Sequence, residues 1–450
     1  MIMAQQITTT MTKLETRDEA IKRQPTIYPK NSFDRYGDDL CQLLLSYLTF
    51  EDRFRCECVS KQFKRTVFAS VIDIQISDRL IKQIQVLKQP IHQIMATIAM
   101  KCPKLEIIDC RGLILKYDDN IPEVLGIFRD NCPHLRDIYM NLLPNCGQLL
   151  TEFGQLVTRM DDNNCYTTYE GVNACQGLSH LGLLCWPKKT TTGFDLTFIA
   201  NVRKLEIYSL TDDYGANRRW ATLVAESRCL QSLALSDCYC DSLFMTDLCQ
   251  QLPRLRQLRE LTLELATDDT PDGHSMFNQC LRTIGVNCKQ LQRLSLTMYF
   301  NDADDPSLPI LLDSLRVYSR LKRLQLTLKG VVANGLLDPL KHFKRLTHLK
   351  LDLTEVNANV LKDFPIKCRR LQYLSISYYH MTRECLPHIS RLPALQTLVI
   401  ESPNIMDFSG SDLSVVLTKS PKLKSIEVIE DLRKFKAKYT YFYRINDLKL

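Results

Sequence analysis

The amino-acid sequence predicts an α/β solenoid built from about thirteen strand-plus-helix units, preceded by a small all-α unit of three helices. Three observations predict it. A six-residue pattern, apolar-x-x-apolar-x-apolar, recurs along most of the chain. Between its copies lie apolar stretches with helical spacing. The stretch 31–70 breaks that rhythm.

The hexads begin at Val71 (VIDIQI), Leu105, Leu135, Leu178, Val202, Leu230 and Leu258, and continue at Leu291, Leu321, Leu346, Leu371, Leu395 and Leu423. Steps between starts run from 24 to 34 residues, except for one step of 43 between Leu135 and Leu178. In each hexad the last apolar pair alternates with polar residues, the period of a short strand with one buried face. Segments such as MFNQCLRTIGVNC before Leu291, LLDPLKHF before Leu346 and DLSVVLTKS before Leu423 supply the helices. One such unit is too small to bury its own apolar face, so neighbours must stack into a solenoid. The strands are expected to form a parallel sheet on the concave side, with the helices on the convex side. The long 141–177 interval is expected to hold a degenerate repeat and a loop.

A further phrase precedes several strands: Cys102-Pro-Lys-Leu105, Cys132-Pro-His-Leu135, Cys175-Gln-Gly-Leu178, Cys288-Lys-Gln-Leu291 and Cys368-Arg-Arg-Leu371. Ser227 and Ser420 take the same slot in other copies. A small residue repeated in phase reads as a buried spacer between helix and strand rather than as redox or metal chemistry. Taken together, the hexads and the cysteine slot resemble leucine-rich repeats of the cysteine-containing type.

Within 31–70, Leu40, Leu43, Leu44, Tyr47 and Leu48 make a helical stripe. Thr49, with Asp52 three residues on, reads as an N-cap opening a second helix that carries Phe54, Cys58 and Val59. A third helix follows Ser60, with Phe63, Val67 and Phe68. So small a core would gain from a partner protein. The string Leu43-Leu44-Leu45-Ser46-Tyr47-Leu48, then Asp52, Arg55 and Cys56, then Val59, Lys61 and Phe63, resembles an F-box. Tyr36-Gly37 stands where that family has Leu-Pro, and Phe63 where it has Trp; Arg53 and Ser60 also depart from the pattern.

That resemblance implies a substrate-recognition subunit of a cullin-based, SCF-type ubiquitin ligase. The F-box would dock on a Skp-type adaptor and, through it, a cullin. Leu40, Leu43, Leu44, Leu48, Phe50 and Phe54 would form the adaptor-facing surface, against the alternative that they serve only internal packing. A protein substrate, unidentified, would lie on outward strand positions, which include Lys204, Glu260 and Glu264. Among these, Arg293, Arg323, His348, Lys350 and Tyr373 should line up across consecutive repeats. The basic members make a stripe suited to an acidic or phosphorylated segment, or they are ordinary solvated side chains.

The rest is exclusion. Apolar content of 45% and charged content of 24% are those of an ordinary globular chain. The net charge of +7 over 450 residues is not concentrated, and the short run Arg433–Lys438 reads as a solvated tail, so no nucleic-acid partner is expected. No apolar stretch is long enough to span a bilayer, and the N-terminus lacks a secretory signal, which suggests a cytoplasmic or nuclear protein without a membrane partner. No phosphate loop, zincin, serine-hydrolase or kinase motif occurs. Cys56-Glu-Cys58 and Cys238-Tyr-Cys240 lack the second half of a zinc site. The expectation is no catalytic residue, no metal and no cofactor. Domain boundaries are expected at 1–30 (disordered), 31–70 (F-box), 71–430 (repeats) and 431–450 (cap or tail). The second reading is a repeat scaffold whose altered F-box joins no ligase.

Overall fold

The computed structural model describes residues 37–85, 90–113, 121–142, 146–162, 171–185, 196–209, 223–224, 226–240, 242–267, 271–299, 313–329, 337–356, 361–381, 383–402, 410–432 and 437–444. The expected N-terminal segment 1–30, Tyr36, most of the Asp161–Cys165 stretch and the 433–436 part of the basic run lie outside them. The chain divides into two compact units, Met1–Leu181 with Thr191–Phe198, and Gly182–Thr190 with Ile199–Leu450.

The first unit opens with three short helices: α1 (Asp38–Ser46), α2 (Phe50–Cys56) and α3 (Lys61–Thr66). Two caps set their starts. The Thr49 hydroxyl oxygen accepts the Asp52 amide at 3.2 Å, and the Ser60 hydroxyl oxygen accepts that of Phe63 at 3.1 Å. Each satisfies a donor that the first helical turn leaves unpaired. Repeats follow: β1 (Asp73–Ser77), α4 (Asp78–Gln85), α5 (Ile91–Lys101), β2 (Ile107–Gly112), α6 (Ile121–Asn131), β3 (Asp137–Leu142), α7 (Gly147–Phe153) and β4 (Val157–Asp162). Strands β1 to β4 pair in chain order, all parallel.

β4 explains the 43-residue step, because the interval holds a whole extra repeat. Its inward pair, Val157 and Met160, aligns with Ile138 and Met140 of β3 but is spread by one extra residue at a register shift, which hides it from the pattern. Two glycines fit this repeat together. Gly171 adopts φ 81°, which a side chain would strain. At Gly154 a Cβ would sit 2.9 Å from the Ala174 backbone.

After β5 (His180–Cys185), the second unit contains β6 (Lys204–Ser209), β7 (Ser232–Cys240), α8 (Ser242–Gln251), β8 (Glu260–Thr267), α9 (Pro271–Asn287), β9 (Arg293–Tyr299), β10 (Arg323–Lys329) and β11 (His348–Val356). It closes with α10 (Phe364–Lys367), β12 (Tyr373–Met381), α11 (Cys385–Ser390), β13 (Thr397–Ser402), α12 (Gly410–Lys419), β14 (Ser425–Leu432) and β15 (Ala437–Arg444). Strands β6 to β14 run parallel in chain order, and β15 returns antiparallel along β14. A strand that reverses direction ends the parallel stack, which is what a terminal repeat requires. Ahead of β10 and β11 the described connections are 3-10 turns, Asp313–Val317 and Asp338–His342, not α-helices. The β10-to-β11 repeat is among the shortest, and Pro339 stands in the first turn of its 3-10 segment.

Every one of the thirteen hexads starts its strand at the hexad's third residue, from Asp73 in β1 to Ser425 in β14. The leucines at hexad positions four and six, such as Leu294 and Leu296, Leu324 and Leu326, and Leu349 and Leu351, are buried at 2% exposure or less. The cysteine slot is buried as well. Cys288 Sγ lies 3.6 and 3.5 Å from the Leu252 and Leu255 carbonyls of the preceding repeat; the Ser420 hydroxyl donates to the Ser390 carbonyl of its preceding repeat, and that of Ser227 to Leu223 one helical turn back. The slot's own carbonyl accepts the amide of the hexad leucine three residues on, as in Leu291 to Cys288 at 3.1 Å. Both units are leucine-rich-repeat solenoids, strands on one side and helical connections on the other.

Candidate interaction surfaces

Two surfaces stand out, one on the three-helix segment and one on the strand side of the second unit. On α1 the helical period divides the leucines between two faces. Cys41 and Leu45 point inward at 2% exposure each, while Leu40, Leu43, Leu44 and Tyr47 stand out at 43, 56, 45 and 82%. Residues at i, i+3, i+4 and i+7 share one side of a helix, so these four make a continuous apolar stripe. Val59, after α2, is also largely exposed. Leu48 and Phe50 are half-buried.

Phe54 is different. It is 1% exposed, its ring lying 5.2 Å from that of Phe50 and 4.7 Å from that of Phe68. As placed, Phe54 is a packing residue and faces no partner. The F-box resemblance put it with the adaptor-facing leucines, because a lone aromatic on a short helix does not announce which side is covered. Tyr47 belongs with the stripe and was missing from the expected adaptor-facing set.

The three helices are clamped to the first repeats. Lys101 of α5 donates to both carboxylate oxygens of Glu57 at 2.7 and 2.6 Å, with both side chains largely buried. The same ammonium lies 5.7 Å from the Phe54 ring and 5.3 Å from that of Phe68. Arg53 donates to the Val67 carbonyl at 2.9 Å. Burial of this kind draws on charge pairing to offset desolvation, so the segment is fixed against the repeats.

The second surface follows from strand register. Glu260, Arg293, Arg323, His348 and Tyr373 are successive partners across β8 to β12, and Ser295, Gln325, Lys350 and Ser375 form the next row. All but Ser375 line a groove of about 610 Å³ that also includes Lys204 and Glu206 of β6. All five residues expected on this face are therefore brought together. Arg293 is held by Glu260 at 2.8 Å and Lys204 by Glu206 at 2.9 Å. Among the described residues Lys350 pairs with Glu401, at 3.7 Å. Among the described residues no carboxylate lies at ion-pair distance from Arg323. His348 stacks on Tyr373, ring centroids 5.6 Å apart and planes 24° apart. Burial, then the charges of Arg323 and Arg293, holds the imidazole below its usual pKa.

The strand side of the first unit carries charge too, but it is self-neutralised. Arg111 donates to Asp109 at 2.7 and 2.9 Å and to Asp161 at 3.1 Å, and Arg159 reaches Asp161 at 3.3 Å.

The slot cysteines have lost their acidity. Burial pushes the thiols of Cys102, Cys175 and Cys368 up to about 12 and those of Cys132 and Cys288 up to about 11. Neutral buried thiols are poor nucleophiles and poor metal ligands. Among the described residues no group of three His, Cys, Asp or Glu is placed to hold a metal ion, and no helix is long and apolar enough to cross a membrane.

No family model matches the chain, and no curated protein matches it. A chain in the crystal structure of the TLR13–ssRNA13 complex aligns with 74% of this chain at 13% identity and a TM-score of 0.39. The alignment spans 43% of that chain, less than half of its length. The fold assignment stands on the hexads and the strand register of the chain itself.

Proposed function

We propose that this chain is the non-catalytic receptor subunit of an SCF-type ubiquitin ligase. In this reading α1 to α3 are an F-box that binds a Skp-type adaptor, and the strand face holds a protein substrate. The observation that carries it is the outward stripe of Leu40, Leu43, Leu44 and Tyr47 on a helix that packs inward through Cys41 and Leu45. Apolar residues so placed do nothing for the folded chain alone, and a large apolar patch rimmed by polar groups marks a protein interface. The Glu57–Lys101 clamp supports the reading from another side. It fixes the three helices to the first repeats, so the stripe is presented from a rigid platform within the first unit. The chain would act where adaptor and cullin meet, in the cytoplasm or nucleus.

The test is co-purification of the full chain with a Skp-type adaptor, beside the double variant Leu43→Asp/Leu44→Asp. Deleting the helices outright would unroof Lys101, so surface substitutions are the cleaner perturbation. Capture by the parent and loss in the variant is the expected result. Capture by both would remove the stripe as the contact. Capture by neither favours the second reading, a repeat scaffold outside any ligase, for which Tyr36-Gly37 in place of Leu-Pro is the specific sequence feature.

A further inference from the structure

The slot cysteines are sealed between helix and strand, but two further cysteines of the second unit lie outside the slot and meet across neighbouring helices. Cys249 stands in the last turn of α8, and Cys280 stands midway along α9. These helices pack side by side as the connections of consecutive repeats, β7 to β8 and β8 to β9. Between them the Cys280 thiol donates a hydrogen bond to the Cys249 sulfur.

The two sulfurs differ in access and in role. Cys280 is 1% exposed, on the buried face of α9 with Phe277, Leu281 and Ile284. Cys249 is only half-buried, so a small solute can reach it. The hydrogen bond from Cys280 stabilises the Cys249 thiolate and, against burial, holds that thiol below its usual pKa. Thiolates, not thiols, are the nucleophiles of cysteine chemistry. Cys249 is therefore the attacking sulfur, and Cys280, shielded from solvent but bonded to it, is placed to resolve the product. Cys102 and Cys132 supply the contrast. They too stand in neighbouring repeats, but burial pushes their thiols up to about 12 and about 11, which leaves no thiolate to begin a reaction.

We propose that Cys249 and Cys280 are a peroxide-responsive pair that closes a reversible disulfide between α8 and α9. In the first step the Cys249 thiolate attacks one oxygen of hydrogen peroxide. An S–O bond forms and the O–O bond breaks; the leaving hydroxide takes up the proton that Cys249 released and becomes water. The sulfur is oxidised by two electrons to a sulfenic acid, and the peroxide is reduced. In the second step the Cys280 sulfur attacks the Cys249 sulfur. The S–S bond forms, the S–O bond breaks, and the hydroxide leaves with the Cys280 proton as a second water. Two thiols and one peroxide thus give one disulfide and two waters, and a thiol reductant reverses the change. The bridge ties together two consecutive repeats on the helix side of β8, the strand whose Glu260 holds Arg293.

The experiment treats the reduced full chain with limiting hydrogen peroxide, blocks remaining thiols with N-ethylmaleimide at intervals, and reads each cysteine by non-reducing peptide mass spectrometry. Fragment ions separate Cys249 from Cys229, Cys238 and Cys240, which share its tryptic peptide. The expected first product is a Cys249–Cys280 bridge, two hydrogens lighter than the reduced pair and removed by dithiothreitol. It should form at least about tenfold faster than Cys102, Cys132 or Cys288 is oxidised, and faster than the exposed Cys58, which controls for access alone. Cys280→Ser keeps a donor beside Cys249 but removes the resolving thiol, so dimedone should trap the sulfenic acid at Cys249. Cys249→Ser should leave Cys280 reduced. No bridge, a bridge from Cys280 to another cysteine, or oxidation of Cys58 as fast as that of Cys249 would each overturn the proposal. So would a Cys280→Ser chain that melts like the parent and gives no dimedone adduct at Cys249. If that variant does not fold, the rates in the parent chain decide.

Discussion

Three consecutive leucines on α1 are predicted to behave as two kinds of residue. Leu45 is 2% exposed and packs inside the three-helix segment, whereas Leu43 and Leu44 stand about half exposed. Truncating Leu45 to alanine removes buried methylenes worth about 0.8 kcal/mol each and leaves a cavity, so the cost is about 2–4 kcal/mol. Leu43→Ala and Leu44→Ala give up contacts that are only partly formed and should each cost below about 1 kcal/mol. The segment holds its own reporter: Cys41, buried on the same helix, with Sγ 3.2 Å from Thr66 Oγ1. Thiol labelling of Cys41, resolved by peptide mass spectrometry from the more accessible Cys56 and Cys58, reads the local opening equilibrium without requiring the whole chain to unfold as one. At about 1.4 kcal/mol per factor of ten, Leu45→Ala should speed labelling roughly 30- to 700-fold, and the other two changes by less than about fivefold. If Leu43→Ala or Leu44→Ala opened Cys41 as much as Leu45→Ala does, the stripe would be part of the core and its assignment as a partner surface would be wrong.

Other consequences are as direct. Gly285 sits where α9 meets the following turn, and a Cβ there would lie 2.8 and 2.9 Å from the Tyr318 ring. Gly285→Ala should lower Tm although alanine favours a helix by about 1 kcal/mol, and a rise in Tm would contradict the packing. The slot thiols, raised from 9.0 to about 11 or 12, stay protonated in the folded chain between pH 9 and their own pKa while unfolded thiols ionise. The unfolded state then binds fewer protons, so stability is intact below pH 9 and falls as pH rises above it. Cys288→Ser should keep the carbonyl hydrogen bonds and flatten that alkaline decline in urea titrations; an unchanged slope would argue against a buried neutral thiol. For His348, NMR titration should give a pKa below 6.5, and Arg323→Gln should raise it, because part of the depression is repulsion from that charge. No movement would place Arg323 away from the ring.

Much of this was legible in the sequence because solenoid physics is local. A hexad fixes which residues enter the strand, and the strands pair with their chain neighbours, so Arg293, Arg323, His348 and Tyr373 could be set in one row by counting. The caps at Thr49 and Ser60 follow from side-chain chemistry within three residues. What failed was whatever depends on a neighbour's surface. The degenerate repeat expected in 141–177 is β4, whose strand the pattern did not locate because a register shift puts one extra residue between Val157 and Met160. Phe54 was grouped with outward leucines because its burial depends on Phe68 and on Lys101, more than forty residues away. The ion pair of Lys350 with Glu401 crosses β12, two strands distant, and register alone does not announce it. Ahead of β10 and β11 the described connections wind as 3-10 turns, although the β12-to-β13 repeat, no longer than β10-to-β11, holds the α-helix α11.

The central claim is that the stripe on α1 meets an adaptor, and amide hydrogen exchange of the full chain with and without a Skp-type adaptor tests it most directly. The account predicts adaptor-dependent protection concentrated in residues 38–50, with β9 to β12 unchanged. Protection absent from that segment, or confined to the repeats, would contradict it.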